Sequence, residues 1–384
     1  DLYLDDLSKT IIKDSSMDKY KTNTAFNKWF SAIKLENLSV DSKKWIFDYN
    51  SYRKKLSFEA VLKLFLYAIN EEKESLRDLS TSLINEALQI ETEVTTISHT
   101  KLSRAFNALE PKVLEEIFQQ LLKNVQYQMK PTKRNSLYLI DSSTFSLSLK
   151  RHQWATFRKT KSGVKLHLNY CYMDDTAMYP TDFTLTNAHE HDVNQLPVLV
   201  NLPEATYVFD RGYLDFEKMD QMHWDGYFFV TRIKKNTKVH VVETLDKSPE
   251  KEILRDELVR LGSKTYLTAN FRLVTIQDKS GRAFQFITNR MDCTSKEIAD
   301  MYHARWQIEL FFKHIKQHMT SKTFFSQSEM GVHNQLILTM ISALLTFIVQ
   351  LETRTKQSVF QIKRFFRYLL FHPFECWLEK LIPT

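Results

Sequence analysis

Residues 137–173 read LYLIDSSTFSLSLKRHQWATFRKTKSGVKLHLNYCYM. The run opens with four apolar residues, Leu137 to Ile140, and stops on Asp141. It closes with apolar side chains at Val164, Leu166, Leu168, Tyr170 and Tyr172, every second position. A short apolar run and a period of two both predict strands, the second one half-buried. Between them stand Lys150, Arg151, Arg158, Lys159, Lys161 and Lys165, with Trp154 and Phe157 among them and no Asp or Glu.

Downstream, PTDFTLT predicts a third strand, and a short helix is expected over about Val193 to Val200 with Asp192 as its cap. ATYVF predicts a fourth strand that stops on Asp210, and YFFVTRI from Tyr227 a fifth. Three strands, a helix, a strand, helical turns, a strand and then a long helix is the order of a ribonuclease H-like mixed α/β sheet. Between Ile233 and Asn289 the runs KVHVVE, KTYLTANFRLVTIQD and RAFQFITN, with a turn at Asp278-Lys279-Ser280-Gly281, read as a β-rich insertion. A capping box, Thr294-Ser295-Lys296-Glu297, then starts a helix.

Around this core the chain is helical. Residues 1–127 carry apolar spacings of three and four in FEAVLKLFLYAI and VLEEIFQQLLKNV, and QMKPTKRNS reads as a linker. Within that region SLRDLSTSLI and SHTKLSRAFNAL allow a helix-turn-helix, with a connection too long for the tight version of that motif, Ser98 as an N-cap and Lys101 and Arg104 exposed. DNA recognition and plain helical packing both fit. The expected domains are thus 1–127 helical, 135–232 with 290–330 as the core, 233–289 as the β insertion, and 331–384 helical.

The helix over MYHARWQIELFFKHIKQHM, residues 301–319, carries the chemistry. At about 100° per residue Tyr302, Arg305, Glu309 and Lys316 fall within about 60° of arc. Ile308, Phe311, Phe312, Ile315 and Met319 take the opposite side, and Trp306 reads as packing. Asp141, Asp210 and Glu309 are three hard oxygen donors, which suit Mg²⁺ or Mn²⁺, and two such ions would serve in-line displacement at phosphorus. Arg305 and Lys316 suit phosphate oxygens, and Tyr302 can donate a hydrogen bond to one. The cations from Lys150 to Lys165 read as a backbone-binding loop, and Arg211 beside Asp210 as a carboxylate- or DNA-contacting residue. His189-Glu190-His191-Asp192 reads as a bland turn rather than a metal site.

Bulk numbers agree with a nucleic-acid partner without demanding one. The net charge is +7, the pI is near 9.0, and basic proteins often bind polyanions. Hydrophobic residues make up 43% of the 384 residues, with 27 Phe but 6 Gly and 8 Pro, which excludes a disordered chain. Cys171, Cys293 and Cys376 are too scattered for a disulfide framework or a zinc site, and a reduced cytoplasmic setting is expected. Leu336–Leu351 is apolar but shorter than a bilayer span, so a buried core helix is expected and no membrane partner. The chain begins DLYLDDLSKT without a signal peptide or an initiator Met, so the native amino terminus is expected to lie upstream.

The whole pattern resembles the DDE transposases of bacterial insertion sequences, specifically the family named after insertion sequence four. The resemblance rests on the run around Asp141, on YVFDRGYLD around Asp210, and on YHARWQIELFFKHIKQH around Glu309. Tyr302, Arg305, Glu309 and Lys316 fill the family signature Tyr-x2-Arg-x3-Glu-x6-Lys without departure. The resemblance implies that Asp141, Asp210 and Glu309 form a catalytic triad holding Mg²⁺, in a homodimer that pairs transposon ends near the bacterial nucleoid. It also implies a reaction course: nicking at terminal inverted repeats, a DNA hairpin, its resolution, and strand transfer into target DNA. Relatives with hairpins hold a flipped base on an aromatic residue of the insertion; Phe284 is the matching position here, with Phe286 as competitor. A non-catalytic, transposase-derived DNA-binding regulator is the alternative, and a nuclease without strand transfer a third reading.

Overall fold

Thr24, Ser39, Ser57, Ser75, Asn85 and Ser98 each accept a hydrogen bond from a backbone N–H two or three residues on, and each opens a helix. These caps satisfy donors that the first helical turn leaves unpaired. The helices are Ala25–Phe30, Val40–Ser51, Phe58–Asn70, Leu76–Ser82, Glu86–Thr92 and His99–Phe106, followed by Pro111–Met129. The computed structural model describes residues 24–53, 55–130, 136–234, 236–262, 269–318 and 324–381. Its chain divides into two compact units, one made of residues 1–130, 150–154 and 318–384, the other of 131–149 and 155–317.

The first unit is helical and joins both ends of the chain, which the sequence reading had kept apart. Glu329–Thr353 runs through it. This helix is long and apolar enough to cross a membrane by length and composition, yet 72% of its apolar window is buried inside the protein. Two of its polar side chains bond inside the protein: Asn334 Nδ2 donates to Leu109 O at 3.0 Å, and Thr346 Oγ1 accepts from Trp29 Nε1 at 3.2 Å. Phe65 stacks on Phe106 with centroids 4.2 Å apart, and Phe366 on Trp377 at 4.8 Å. Leu76–Ser82 packs against His99–Phe106, but the helix Glu86–Thr92 lies in the connection, so the tight helix-turn-helix is not formed.

The second unit is built on a ten-stranded sheet. Its strands are β1 (Leu137–Leu147), β2 (Thr156–Arg158), β3 (Lys161–Tyr172), β4 (Met178–Asn187), β5 (Thr206–Phe209), β6 (Phe228–Arg232), β7 (Val239–Thr244), β8 (Ile253–Leu261), β9 (Phe271–Gln277) and β10 (Ala283–Thr288). The spatial order is β2-β3-β1-β5-β6-β10-β9-β8-β7, with β4 on β3. Only β1–β5 and β5–β6 are parallel; the other pairs are antiparallel.

Three sequence expectations change here. β1 does not stop at Asp141 but runs to Leu147 against β3. β3 is buried on both faces, not one: Tyr170 lies under Phe311 with centroids 4.7 Å apart, while Asn169 Nδ2 donates to Leu199 O at 2.9 Å on the other side. The stretch 233–289 holds four strands where three were expected, and β10 pairs antiparallel with β6, so they extend the core sheet. β8 was missed because ILRDELVRL is rich in charge. Its Asp256 is buried and bound by Arg272 of β9, Nε to Oδ1 at 2.8 Å and Nη2 to Oδ2 at 2.5 Å. Only the β8–β9 pairing supplies that partner.

Candidate active site

The parallel ladder of β1 on β5 ends with Ile140 opposite Phe209. The next residue on each strand is an aspartate, Asp141 and Asp210, so the two stand side by side where the ladder stops. Ser142 N donates to Asp141 Oδ1 at 2.8 Å and fixes that carboxylate on one side. Burial pushes the Asp141 carboxyl up to about 6 from its ordinary 3.8; the Ser142 N–H and the Arg305 guanidinium oppose the rise, and Glu309 and Asp210 add to it.

The expected single helix over 301–319 is two helices, Ser295–Ala304 and Trp306–His318, that meet at Arg305. Arg305 keeps helical angles, but Arg305 N bonds Tyr302 O and Ile308 N bonds Arg305 O, one residue tighter than an α-turn. The apolar face is as expected, with Ile308, Phe311, Phe312 and Ile315 buried. Met319 lies outside the described residues. Glu309 stands on the other face, half-buried.

The stripe does not behave as one set. Tyr302 is buried, not open to a DNA strand: its ring stacks on Phe286 with centroids 4.6 Å apart, and its hydroxyl reaches Asp210 Oδ1 at 3.5 Å, the long limit for a hydrogen bond. Arg305 turns inward, with Nη2 2.6 Å from Glu309 Oε1 and Nη1 4.0 Å from Asp141 Oδ2. It links two carboxylates that like-charge repulsion would otherwise separate. Lys316 is exposed, its Nζ 5.8 Å from the centroid of Phe145. Asp141, Ser143, Glu309, Lys313 and Lys316 line one open cleft of about 490 Å³. Lys313 was missed by sequence reasoning, although it follows Glu309 by four residues and so shares its face.

A second pocket, of about 510 Å³, lies behind Tyr302 and Arg305 and is lined also by Arg232, Phe284, Phe286 and Trp306. Here Phe286 is buried, whereas Phe284 is partly open, with the guanidinium carbons of Arg232 and Arg282 4.6 Å and 5.8 Å from its centroid. Trp306, read as packing, is 60% exposed at the mouth. Arg232 ends β6, and no sequence signal marked it.

The basic run divides. Arg158, Lys159 and Lys161 are exposed at the turn joining β2 to β3. Lys165 is not part of that surface: its Nζ donates to Glu190 O at 2.7 Å and Asp192 Oδ1 at 3.2 Å. Lys150 and Arg151 are exposed and belong to the helical unit, where Trp154 Nε1 donates to Gln327 O at 2.8 Å. Arg211 is exposed. Lys101 and Arg104 are exposed and line, with Tyr52, Arg53 and Lys55, a groove of about 550 Å³ in the first unit.

No group of three His, Cys, Asp or Glu stands ready to enclose a metal among the described residues. In the His189–Asp192 stretch Asp192 does not cap a helix: it begins a 3₁₀ turn whose cap, His191, makes no side-chain capping bond. All three cysteines are free thiols.

A family model described as the transposase DDE domain matches residues 132–345 of this chain. Over 228 residues the chain is 31% identical to the probable transposase for insertion sequence element IS5377 of Geobacillus stearothermophilus, 58% of this chain and 59% of that one. Over 257 residues it is 32% identical to a protein of Sinorhizobium fredii named as transposase y4zB, 65% of this chain and 71% of that one. A solved structure of the piggyBac transposase synaptic complex with hairpin DNA aligns with 94% of this chain and 82% of that chain, at 10% identity and a TM-score of 0.49. The chain belongs to the DDE transposase family. The match spans under two thirds of the length of the Geobacillus relative, 59%.

Proposed function

We propose that this chain is a cut-and-paste transposase of the insertion-sequence-four group, acting through a ribonuclease H-like core on the terminal inverted repeats of its own element. The register of β1 on β5 carries the reading, because it sets Asp141 beside Asp210 at a cleft that Asp141 shares with Glu309. Those three residues would hold divalent ions, Mg²⁺ or Mn²⁺ and two in number. The donor chemistry fits, since all are hard carboxylate oxygens, although the three do not enclose a common point here; the Arg305 guanidinium bonds Glu309 and approaches Asp141 as a stand-in positive charge. Bound ions would lower the pKa of an attacking water and stabilise the leaving oxygen.

The chain's own residues have separate tasks. Lys313 and Lys316 are placed to bind phosphate at the cleft, and Arg305 to exchange a carboxylate for a phosphate oxygen. Phe284, Arg232 and Trp306 offer flat faces to a base turned out of the duplex. The Arg158–Lys161 turn, Lys150, Arg151 and Arg211, and the groove with Lys101 and Arg104, are placed to hold backbone.

In the first step a water oxygen bonds to phosphorus at the transposon end, the bond from phosphorus to the 3′-oxygen breaks, and that oxygen takes up a proton. The new 3′-hydroxyl oxygen bonds to phosphorus on the opposite strand and closes a hairpin; the bond from that phosphorus to the 3′-oxygen of the flanking strand breaks, and the proton lost by the attacking hydroxyl passes to that departing oxygen. A water oxygen then bonds to the hairpin phosphorus, the bond to the transposon 3′-oxygen breaks and that oxygen takes up a proton; the freed 3′-hydroxyl oxygen bonds to a target phosphorus, whose bond to its own 3′-oxygen breaks, and the proton passes to that oxygen. Two ends require two copies of the chain in one complex.

The test uses purified protein, inverted-repeat DNA and Mg²⁺, with hairpins and 3′-hydroxyl ends as products. Glu309→Ala should lower cleavage by about a thousandfold or more while gel-shift affinity stays within about threefold. Wild-type cleavage by that variant would remove Glu309 from the triad. Binding without cleavage by the wild-type chain would favour the regulator.

A further inference from the structure

One carboxylate outside the triad is built into the same corner of the sheet. Asp192 lies on the connection between β4 and β5. Its Oδ1 accepts from Ser142 Oγ at 2.7 Å and from Lys165 Nζ at 3.2 Å. The same oxygen stands 3.6 Å from Nδ1 of His167, whose side chain is fully buried. On the other side, a Cβ placed on Gly212 would meet Asp192 Oδ2 at 3.8 Å. Ser142 directly follows Asp141 and its N–H holds the Asp141 carboxylate; Gly212 comes two residues after Asp210. Asp192 therefore bonds the segment that carries Asp141 and lies beside the segment that carries Asp210.

The connection is itself anchored, so the contact is not a chance of a loose loop. Lys165 Nζ also donates to Glu190 O at 2.7 Å, Lys218 Nζ to Val193 O at 2.7 Å, and Asn169 Nδ2 to Leu199 O at 2.9 Å. These bonds come from β3 and from the helix Phe216–Trp224. Lys165 balances the charge of Asp192, and Ser142 and Lys165 already use its Oδ1. That leaves Asp192 poorly suited to ligate an ion and well suited to orient a residue that does.

We propose that Asp192 is a positioning residue for the reacting centre: by accepting from the Ser142 hydroxyl it fixes the stretch that aims the Asp141 carboxylate. The inference rests on the assignment of Asp141 as a metal ligand. Partners that orient a ligating carboxylate alter metal affinity by about 10–100-fold when removed.

The measurement is Mn²⁺ binding to the full chain without DNA, followed by electron paramagnetic resonance, beside the Mg²⁺ concentration giving half-maximal cleavage. Asp192→Ala should weaken Mn²⁺ binding about tenfold or more and raise the Mg²⁺ requirement in step. Asp192→Asn keeps an oxygen for Ser142 and should stay within about threefold of wild type. Ser142→Ala should reproduce the loss, and it decides the matter if Asp192→Ala does not fold. Wild-type Mn²⁺ affinity in Asp192→Ala or in Ser142→Ala overturns the proposal, as does equal loss in Asp192→Asn and Asp192→Ala. Mn²⁺ binding by wild type that Glu309→Ala abolishes supports the triad whatever Asp192 does. No Mn²⁺ binding by wild type removes both readings.

Discussion

At the scale of single residues, the site stores unfavourable charge. Burial holds the Asp141 carboxyl at about 6, above its ordinary 3.8. The folded chain thus holds that proton more tightly than the unfolded chain, so as pH rises through this window Asp141 costs stability, and the full cost is present above about pH 6. Asp141→Asn should raise the thermal midpoint of the metal-free protein at pH 7.5, by a free energy of about 1–3 kcal/mol, and abolish cleavage. Differential scanning calorimetry with and without Mg²⁺ checks it; an unchanged or lower midpoint would count against a strained carboxylate. Both aspartates stand out in the sequence because an apolar run stops on each, although β1 itself continues past Asp141 to Leu147. The buried state of Tyr302 was not legible there, because its cover, Phe286, comes from the far side of a loop and helix start that periodicity cannot fold. The inward turn of Arg305 depends likewise on Asp141, a residue distant in sequence.

At the scale of elements, the β2–β3 turn concentrates exposed cations that no acid offsets in sequence. Replacing Arg158, Lys159 and Lys161 with Ala should weaken DNA binding. It should also reduce the slope of log affinity against log salt by about 0.9 for each phosphate that is no longer neutralised, so by up to about 3. Filter binding across a salt series measures this, and an unchanged slope would place the DNA elsewhere. The β1–β3 ladder is just as exacting: a Cβ on Gly163 would lie 2.8 Å from Phe145 O. Gly163→Ala should therefore cost about 1–3 kcal/mol in urea unfolding, since the strands must part to admit it. Periodicity exposed the strands on the Asp141 side, but not β8, whose charged residues make sense only once Arg272 of β9 neutralises buried Asp256.

At the scale of the whole molecule, each unit has its own core. In the helical unit Leu345 is fully buried on Glu329–Thr353. Leu345→Ala should destabilise by about 2–5 kcal/mol while leaving cleavage per folded molecule near wild type, as paired denaturation and activity assays would show. The sequence reading separated the two ends of the chain because long-range packing leaves no local mark. The chain passes between units after residues 130, 149, 154 and 317, and the middle two passages enclose a five-residue visit, Lys150–Trp154, made between β1 and β2. During that visit His152 Nε2 lies 3.3 Å from Ser326 O, a partner from the far end of the chain. A gene exchange with a single breakpoint would therefore split at least one unit between two parents. The helical and sheet units are thus exchanged intact only when they are inherited together.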